Sequence, residues 1–110
     1  MANSSQLLKG ILEGCILKII FKKETYGYEL YNSLKIRGFD DLSEGTLYPL
    51  LIRLEKNDLL LSVSRDSPLG PKRKYYSLTK IGERELVVFC MLWNKISKSV
   101  NKILGDDVND

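Results

Sequence analysis

The sequence predicts a mainly α-helical chain carrying one small β-hairpin, in the order helix, helix, helix, hairpin, long helix. Three observations carry that expectation. In SEGTLYPLLIRLEKNDLL, from Ser43 to Leu60, leucines recur at helical spacing behind a capping serine. Two alternating segments, LLLSVSR and KRKYYSL, flank the turn-rich DSPLGP. From Thr79 onward, Leu86, Phe89, Trp93, Ile96, Val100 and Ile103 follow one another at spacings of 3, 4, 3, 4 and 3, a heptad seam.

Taken in order, Leu7 to Phe21 reads LLKGILEGCILKIIF, apolar on most faces and interrupted by Lys9, Glu13 and Lys18. A helix of that kind is expected to be covered on more than one side. In so small a chain the second cover points to another subunit, with Leu8, Ile11 and Leu12 at the contact. KKET makes a polar turn, with Thr25 as N-cap of a second helix that carries Leu30 and Leu34 inward and stops at Gly38. Ser43 caps the third helix, where Leu47, Leu50, Leu51 and Leu54 fall within about 100° of arc; it fades at Asn57-Asp58. In the first strand Leu59, Leu61 and Val63 alternate with Leu60, Ser62 and Ser64, a half-buried pattern, and in the second Lys74, Tyr76 and Leu78 share a face. Thr79 caps the last helix, which runs to the neighbourhood of Leu104, and the acidic GDDVND follows as a frayed tail. Helices two and three with their Gly-containing turn read as a helix-turn-helix, and the hairpin after them as a wing.

At 110 residues the chain has room for one domain, and 44% hydrophobic with 28% charged residues is ordinary for a soluble globular protein. A net charge of +3 permits a nucleic-acid partner without demanding one, so the position of the charge matters more than its sum. No run approaches the roughly 18 apolar residues of a membrane span, and MANSSQLLKG lacks the signal-peptide pattern, which makes the cytoplasm the expected location and a membrane partner unexpected. The absence of histidine excludes His-based catalysis and His-containing zinc sites, and two cysteines make no CxxC framework. With no phosphate-binding loop either, no enzyme activity, metal or cofactor is called for. Cys15 and Cys90 lie in apolar helical stretches and read as small hydrophobes.

YGYEL (Tyr26 to Leu30), the Ser43-to-Leu60 segment and GPKRKYYSLTKIGERELVVF (Gly70 to Phe89), in this order and at this spacing, resemble the PadR family of bacterial transcriptional regulators. The resemblance runs from about Leu7 to Leu104. It implies a dimeric winged-helix repressor whose C-terminal helix joins two subunits and which responds to small aromatic or drug-like molecules. The last helix is short for the family, as in its smaller members. The chain is thereby divided into a winged helix-turn-helix DNA-binding unit at 1–78, a dimerisation helix at 79–104 and the acidic tail at 105–110. Where the family has Glu-x-x-Gly-Leu after the third helix, this chain has Asn57-Asp58-Leu59, and Asn57 tolerates the left-handed backbone such a stop needs.

With its leucines inward, the third helix turns Gly45, Pro49, Ile52, Arg53 and Lys56 outward, with Thr46 and Tyr48 on the flanks. A recognition helix reads bases mainly through its N-terminal residues. Ser43 and Thr46 are candidate donors to phosphates or bases, Gly45 permits close approach, and Arg53 reaches a guanine edge or a phosphate. Pro49 has no N–H, so the bond toward the Gly45 carbonyl is missing; a regular helix starting near Thr46 would absorb the loss, and the resemblance carries Pro49 as a regular feature. Between Ser43 and Lys80 stand Arg53, Lys56, Arg65, Lys72, Arg73, Lys74 and Lys80 against Glu44, Glu55, Asp58 and Asp66. The excess lies in the wing, where Lys72, Arg73 and Lys74 are candidate phosphate contacts, with Lys22, Lys23 and Tyr26 weaker ones. The expected partners are a second copy of the chain and a pseudo-palindromic double-stranded DNA operator. The rival reading is a winged-helix protein–protein module without direct DNA reading, against which the intact basic wing argues. Trp93, flanked by Phe89 and Ile96, reads first as a seam residue; the resemblance implies that it also stacks on flat aromatic ligands at the dimer axis.

Overall fold

The computed structural model describes residues 4–8 and 10–109, leaving residues 1–3, Lys9 and Asp110 outside it. In chain order the elements are α1 (Ser4–Leu8), α2 (Ile11–Lys22), β1 (Thr25–Tyr26), α3 (Gly27–Ile36), α4 (Glu44–Lys56), β2 (Leu60–Ser67), β3 (Gly70–Leu78) and α5 (Lys80–Asn109). The first helix is thus two. Gly10 has φ +80, a left-handed backbone that breaks the apolar run between α1 and α2.

The second helix also starts differently from expectation. Thr25 is a buried strand residue rather than a cap, and it donates from its hydroxyl to Glu29 Oε1 at 2.5 Å. Thr25 pairs with Tyr76 and Tyr26 with Tyr75, which adds β1 to the hairpin in a three-stranded sheet of order β1-β3-β2. A strand of two residues is too short to show an alternation, so KKETYGY gave no sign of it.

α3 and α4 end in the same device with different residues. At the end of α3, Phe39 N–H donates to the Leu34 carbonyl and Gly38 N–H to that of Lys35, with Gly38 at φ +114. At the end of α4, Leu59 N–H donates to Leu54 and Asp58 N–H to Glu55. Both are Schellman closures. The left-handed residue of the second is Asp58, at φ +63, whereas Asn57 has φ −89; the tolerance assigned to Asn57 belongs one residue later.

The hairpin is tighter than the DSPLGP loop implied, turning at Pro68-Leu69 after an irregularity between Arg65 and Ser67. Leu60 pairs with Leu78 and Ser62 with Tyr76, so these residues share the face toward the body of the protein. Leu60 and Tyr76 are buried, while Leu61 and Val63, on the strand face that sequence alternation favoured, are exposed. On the covered face Ser62 and Lys74 hydrogen-bond Glu55, and half of the Lys74 side chain stays open to water.

The core gathers Leu12, Ile16, Leu17 and Ile20 from α2, Leu30 and Leu34 from α3, and Leu47, Leu51 and Leu54 from α4, closed by Leu60, Tyr76 and Leu86. Two glycines allow the long helix to join it. A Cβ on Gly14 would run into the Phe89 ring, and one on Gly82 into the Leu59 carbonyl oxygen. Thr79 caps α5 as expected: its Oγ1 accepts from Gly82 N–H at 2.9 Å. α5 does not stop near Leu104 but continues through the acidic segment to Asn109. At 1.5 Å per residue it is about 45 Å long, which accounts for most of the molecule's 55 Å longest dimension. Cys90 is exposed rather than buried, and Cys15 is half-buried, where desolvation raises its thiol pKa. Both line an apolar cavity of about 270 Å³ between α2, α3 and α5.

Candidate nucleic-acid interface

α4 begins where the serine signal places it. The Ser43 side chain accepts from Thr46 N–H at 3.2 Å, and the Leu47 N–H closes the first turn on the Ser43 carbonyl at 3.1 Å. The helix therefore starts at Glu44, not near Thr46, and runs through Pro49 to Lys56. The Gly45 carbonyl still lacks the amide four residues on, because proline has none. Gly45 and Pro49 are both exposed, so this turn of the helix faces solvent. Ser43, Thr46, Ile52, Arg53 and Lys56 are exposed on the same helix. Ser43 Oγ and Thr46 Oγ1 lie 3.1 Å apart and hydrogen-bond one another.

Tyr48 buttresses this helix against α3. A Cβ on Gly27 would lie 2.6 Å from its ring, so the glycine of YGYEL and the tyrosine of EGTLYP are two halves of one contact. Desolvation, and next the Glu44 carboxylate, raise the Tyr48 phenol above its ordinary value.

The wing is held to α4 by Glu55. Its Oε2 accepts from Ser62 Oγ at 2.5 Å and its Oε1 from Lys74 Nζ at 3.0 Å. These two bonds lower the Glu55 pKa, and the bond to Glu55 raises that of Lys74. On the opposite face of the sheet, Arg65 and Arg73 stand directly across from one another, an unfavourable pairing of like charges. Each lies instead over a ring: Arg65 4.8 Å from the Tyr75 centroid and Arg73 4.4 Å from that of Tyr26, the two tyrosines meeting edge-on at 5.3 Å. Tyr26 is thereby joined to the wing. Lys72 is exposed near the tip, and Lys23 is exposed at the C-cap of α2, next to Glu24. Glu24 pairs with Arg65 at 2.5 Å, and Glu13 of α2 pairs with Arg53.

The residues expected at a subunit contact divide. Leu12 and Leu86 are buried inside the chain and offer no surface to a partner, and Phe89 is half-covered by Gly14. Leu8 and Ile11 are half-buried; Trp93, Ile96, Val100 and Ile103 are exposed. Sequence reasoning overlooked Gly27 and the three glutamates, Glu13, Glu24 and Glu55. Gly27 and Glu55 lie inside the quoted motifs, but Glu13 and Glu24 carry no local signal, since their partners are distant in sequence.

Among the described residues no helix is long and apolar enough to cross a membrane. The structure is similar to a Streptococcus transcriptional regulator, 52% identical over 89% of this chain and 96% of that one, with a TM-score of 0.81. A PadR-like transcriptional regulator from Bacillus cereus is 49% identical over 90% and 96%, with a TM-score of 0.82. A protein of Lysinibacillus sphaericus is 31% identical over 99 residues, 88% of this chain and 91% of its own. The family described as "Transcriptional regulator PadR-like family" matches residues 16–87, which take in the helix-turn-helix, the wing and the packed first turns of α5. Its members are regulators and not enzymes, and on this evidence the chain belongs to the PadR-like family of transcriptional regulators.

Proposed function

We propose that the protein is a dimeric, sequence-specific DNA-binding repressor acting in the cytoplasm, relieved by a small aromatic effector. The observation that carries the DNA reading is the capped N-terminal end of α4, with Ser43, Gly45, Thr46, Pro49 and Arg53 all exposed on a helix to which a basic wing is tied through Glu55. Thr46 and Arg53 meet base edges, and Lys72 and Arg73 meet phosphate. Dimerisation is supported by the stripe of Trp93, Ile96, Val100 and Ile103, which stands exposed among the described residues. Two copies joined along it present two reading helices to half-sites about 34–36 Å apart, one helical turn. The effector reading rests on Trp93, a large ring within that stripe: on a two-fold axis it would face its own copy and leave a slot for a flat ligand.

The test is footprinting of the purified protein on the DNA flanking its own coding region. A protected palindrome, with Thr46→Ala changing the preferred sequence, is expected; no protected segment at physiological salt would sink the repressor reading. Planar aromatics should quench Trp93 fluorescence saturably and release that DNA. A panel that does neither would remove the effector from the account.

A further inference from the structure

Three cations on α4 and the wing are each held by a carboxylate of the same chain. Arg53 of α4 pairs with Glu13, Arg65 of β2 with Glu24, and Lys74 of β3 with Glu55. The acids come from three separate places: α2, the link before β1, and the C-terminal turn of α4. In every pair the carboxylate is the more covered member, its side chain 30%, 37% and 32% exposed against 58%, 50% and 50% for the cation. The acid lies behind and the cation keeps an open side.

We propose that Glu13, Glu24 and Glu55 act as internal stand-ins for DNA phosphate, which hold these three cations partly neutralised and so set a low affinity for DNA of the wrong sequence. This rests on the reading that α4 and the wing meet DNA. Binding to random sequence is almost wholly electrostatic and scales with the phosphates neutralised. A phosphate that approaches Arg53, Arg65 or Lys74 also meets the carboxylate behind it. For unit charges ~7 Å apart in water that repulsion is worth about threefold in affinity for each acid. On the operator, base-edge contacts add affinity that random DNA does not supply. Arg53 sharpens the effect: a guanine edge offers it two acceptors in exchange for Glu13, whereas a wrong base leaves it paired where it is.

The experiment compares full-length wild type with Glu13→Gln/Glu24→Gln on a random-sequence duplex across a salt series. Glu55 is left intact because it also anchors the wing through Ser62. The variant should bind the random duplex about tenfold more tightly at low salt, with a salt slope steeper by up to about two units, one for each freed cation. Adding Arg53→Gln and Arg65→Gln should abolish both gains, a reversal that a purely structural role for the glutamates would not produce. Thermal melting of each single variant confirms that it is folded. Wild type that binds the duplex while the double variant matches it in affinity and slope would overturn the proposal alone. If neither wild type nor the double variant binds the random duplex or the DNA flanking the coding region, the DNA reading beneath the proposal falls as well.

Discussion

The two ends of α5 share one heptad seam and have opposite surroundings. In the first ten residues Gly82 lies against the Leu59 carbonyl, Leu86 is 5% exposed in the core, and Phe89 rests on Gly14. Beyond them, Met91, Leu92, Trp93, Ile96, Val100, Ile103 and Leu104 are all between 44% and 69% exposed. Periodicity states that a helix face is apolar; it does not state what covers it. Here the chain's own α2 covers the first part, and among the described residues nothing covers the rest. An exposed apolar stripe of that kind is what the proposed dimer would bury.

Truncation should give the largest effects and tests the division directly. A fragment ending at Cys90 keeps Leu86 and Phe89, and should fold as a monomer that has lost tight operator binding. A fragment ending at Thr79 loses both and should fail to fold, because the core opens along α2. Light scattering and circular dichroism distinguish these outcomes. A dimeric 1–90 fragment or a folded 1–79 fragment would break the comparison.

Single substitutions should separate the same two parts by the kind of loss. Leu86→Ala should cost about 2–5 kcal/mol of stability, independent of protein concentration. Ile96→Ala should leave the folded unit intact and lower the melting temperature only by weakening the dimer, so its effect should vanish at high concentration. A concentration-independent loss at Ile96 would place it in the core after all.

Much of this was legible in the sequence, and several of the failures share a cause. Ser43, Gly38 and Thr79 act as read, because caps and stops depend on the residue and its near neighbours. The leucines of α4 point inward as their spacing required, and three quoted motifs sufficed to identify the family. What escaped depended on tertiary partners. β1 exists only because Tyr75 and Tyr76 are there to pair with, and the bonds of Ser62 and Lys74 go to Glu55 on a different element. In the same way Leu12 and Leu86 were assigned to a subunit contact because an apolar residue looks the same whether its cover comes from its own chain or from another.

Glycines offer a finer test of the two parts of α5. At Gly82 an added methyl would meet backbone, the Leu59 carbonyl, which cannot rotate away. Gly82→Ala should therefore destabilise by about 1–3 kcal/mol. At Gly105 the nearest atom to an added Cβ is 3.8 Å away, ordinary contact distance. Gly105→Ala should stabilise the helix by about 0.5–1 kcal/mol. If both substitutions destabilise, the far part of α5 is packed against something not yet accounted for.

The smallest effect is expected at the joint that fixes the packed end. Thr79, the cap of α5, donates from its hydroxyl to the Asp58 carbonyl at 2.6 Å, so the start of the long helix is pinned to the closing residue of α4. That residue holds a left-handed backbone at φ +63. An L-residue there is strained by about 1–2 kcal/mol, less for aspartate than for most. Glycine would remove the strain but adds freedom to the unfolded chain worth about 0.4–1 kcal/mol in the other direction. Asp58→Gly should thus stabilise by about 0.5 kcal/mol net, since the bond from Thr79 goes to main chain and survives. The converse at the equivalent stop of α3, Gly38→Asp, should cost more, because φ +114 lies well outside the left-handed well near +57° that aspartate tolerates. Urea unfolding of both variants measures the contrast. A lower midpoint for Asp58→Gly would mean that the aspartate side chain itself holds the joint between α4 and α5.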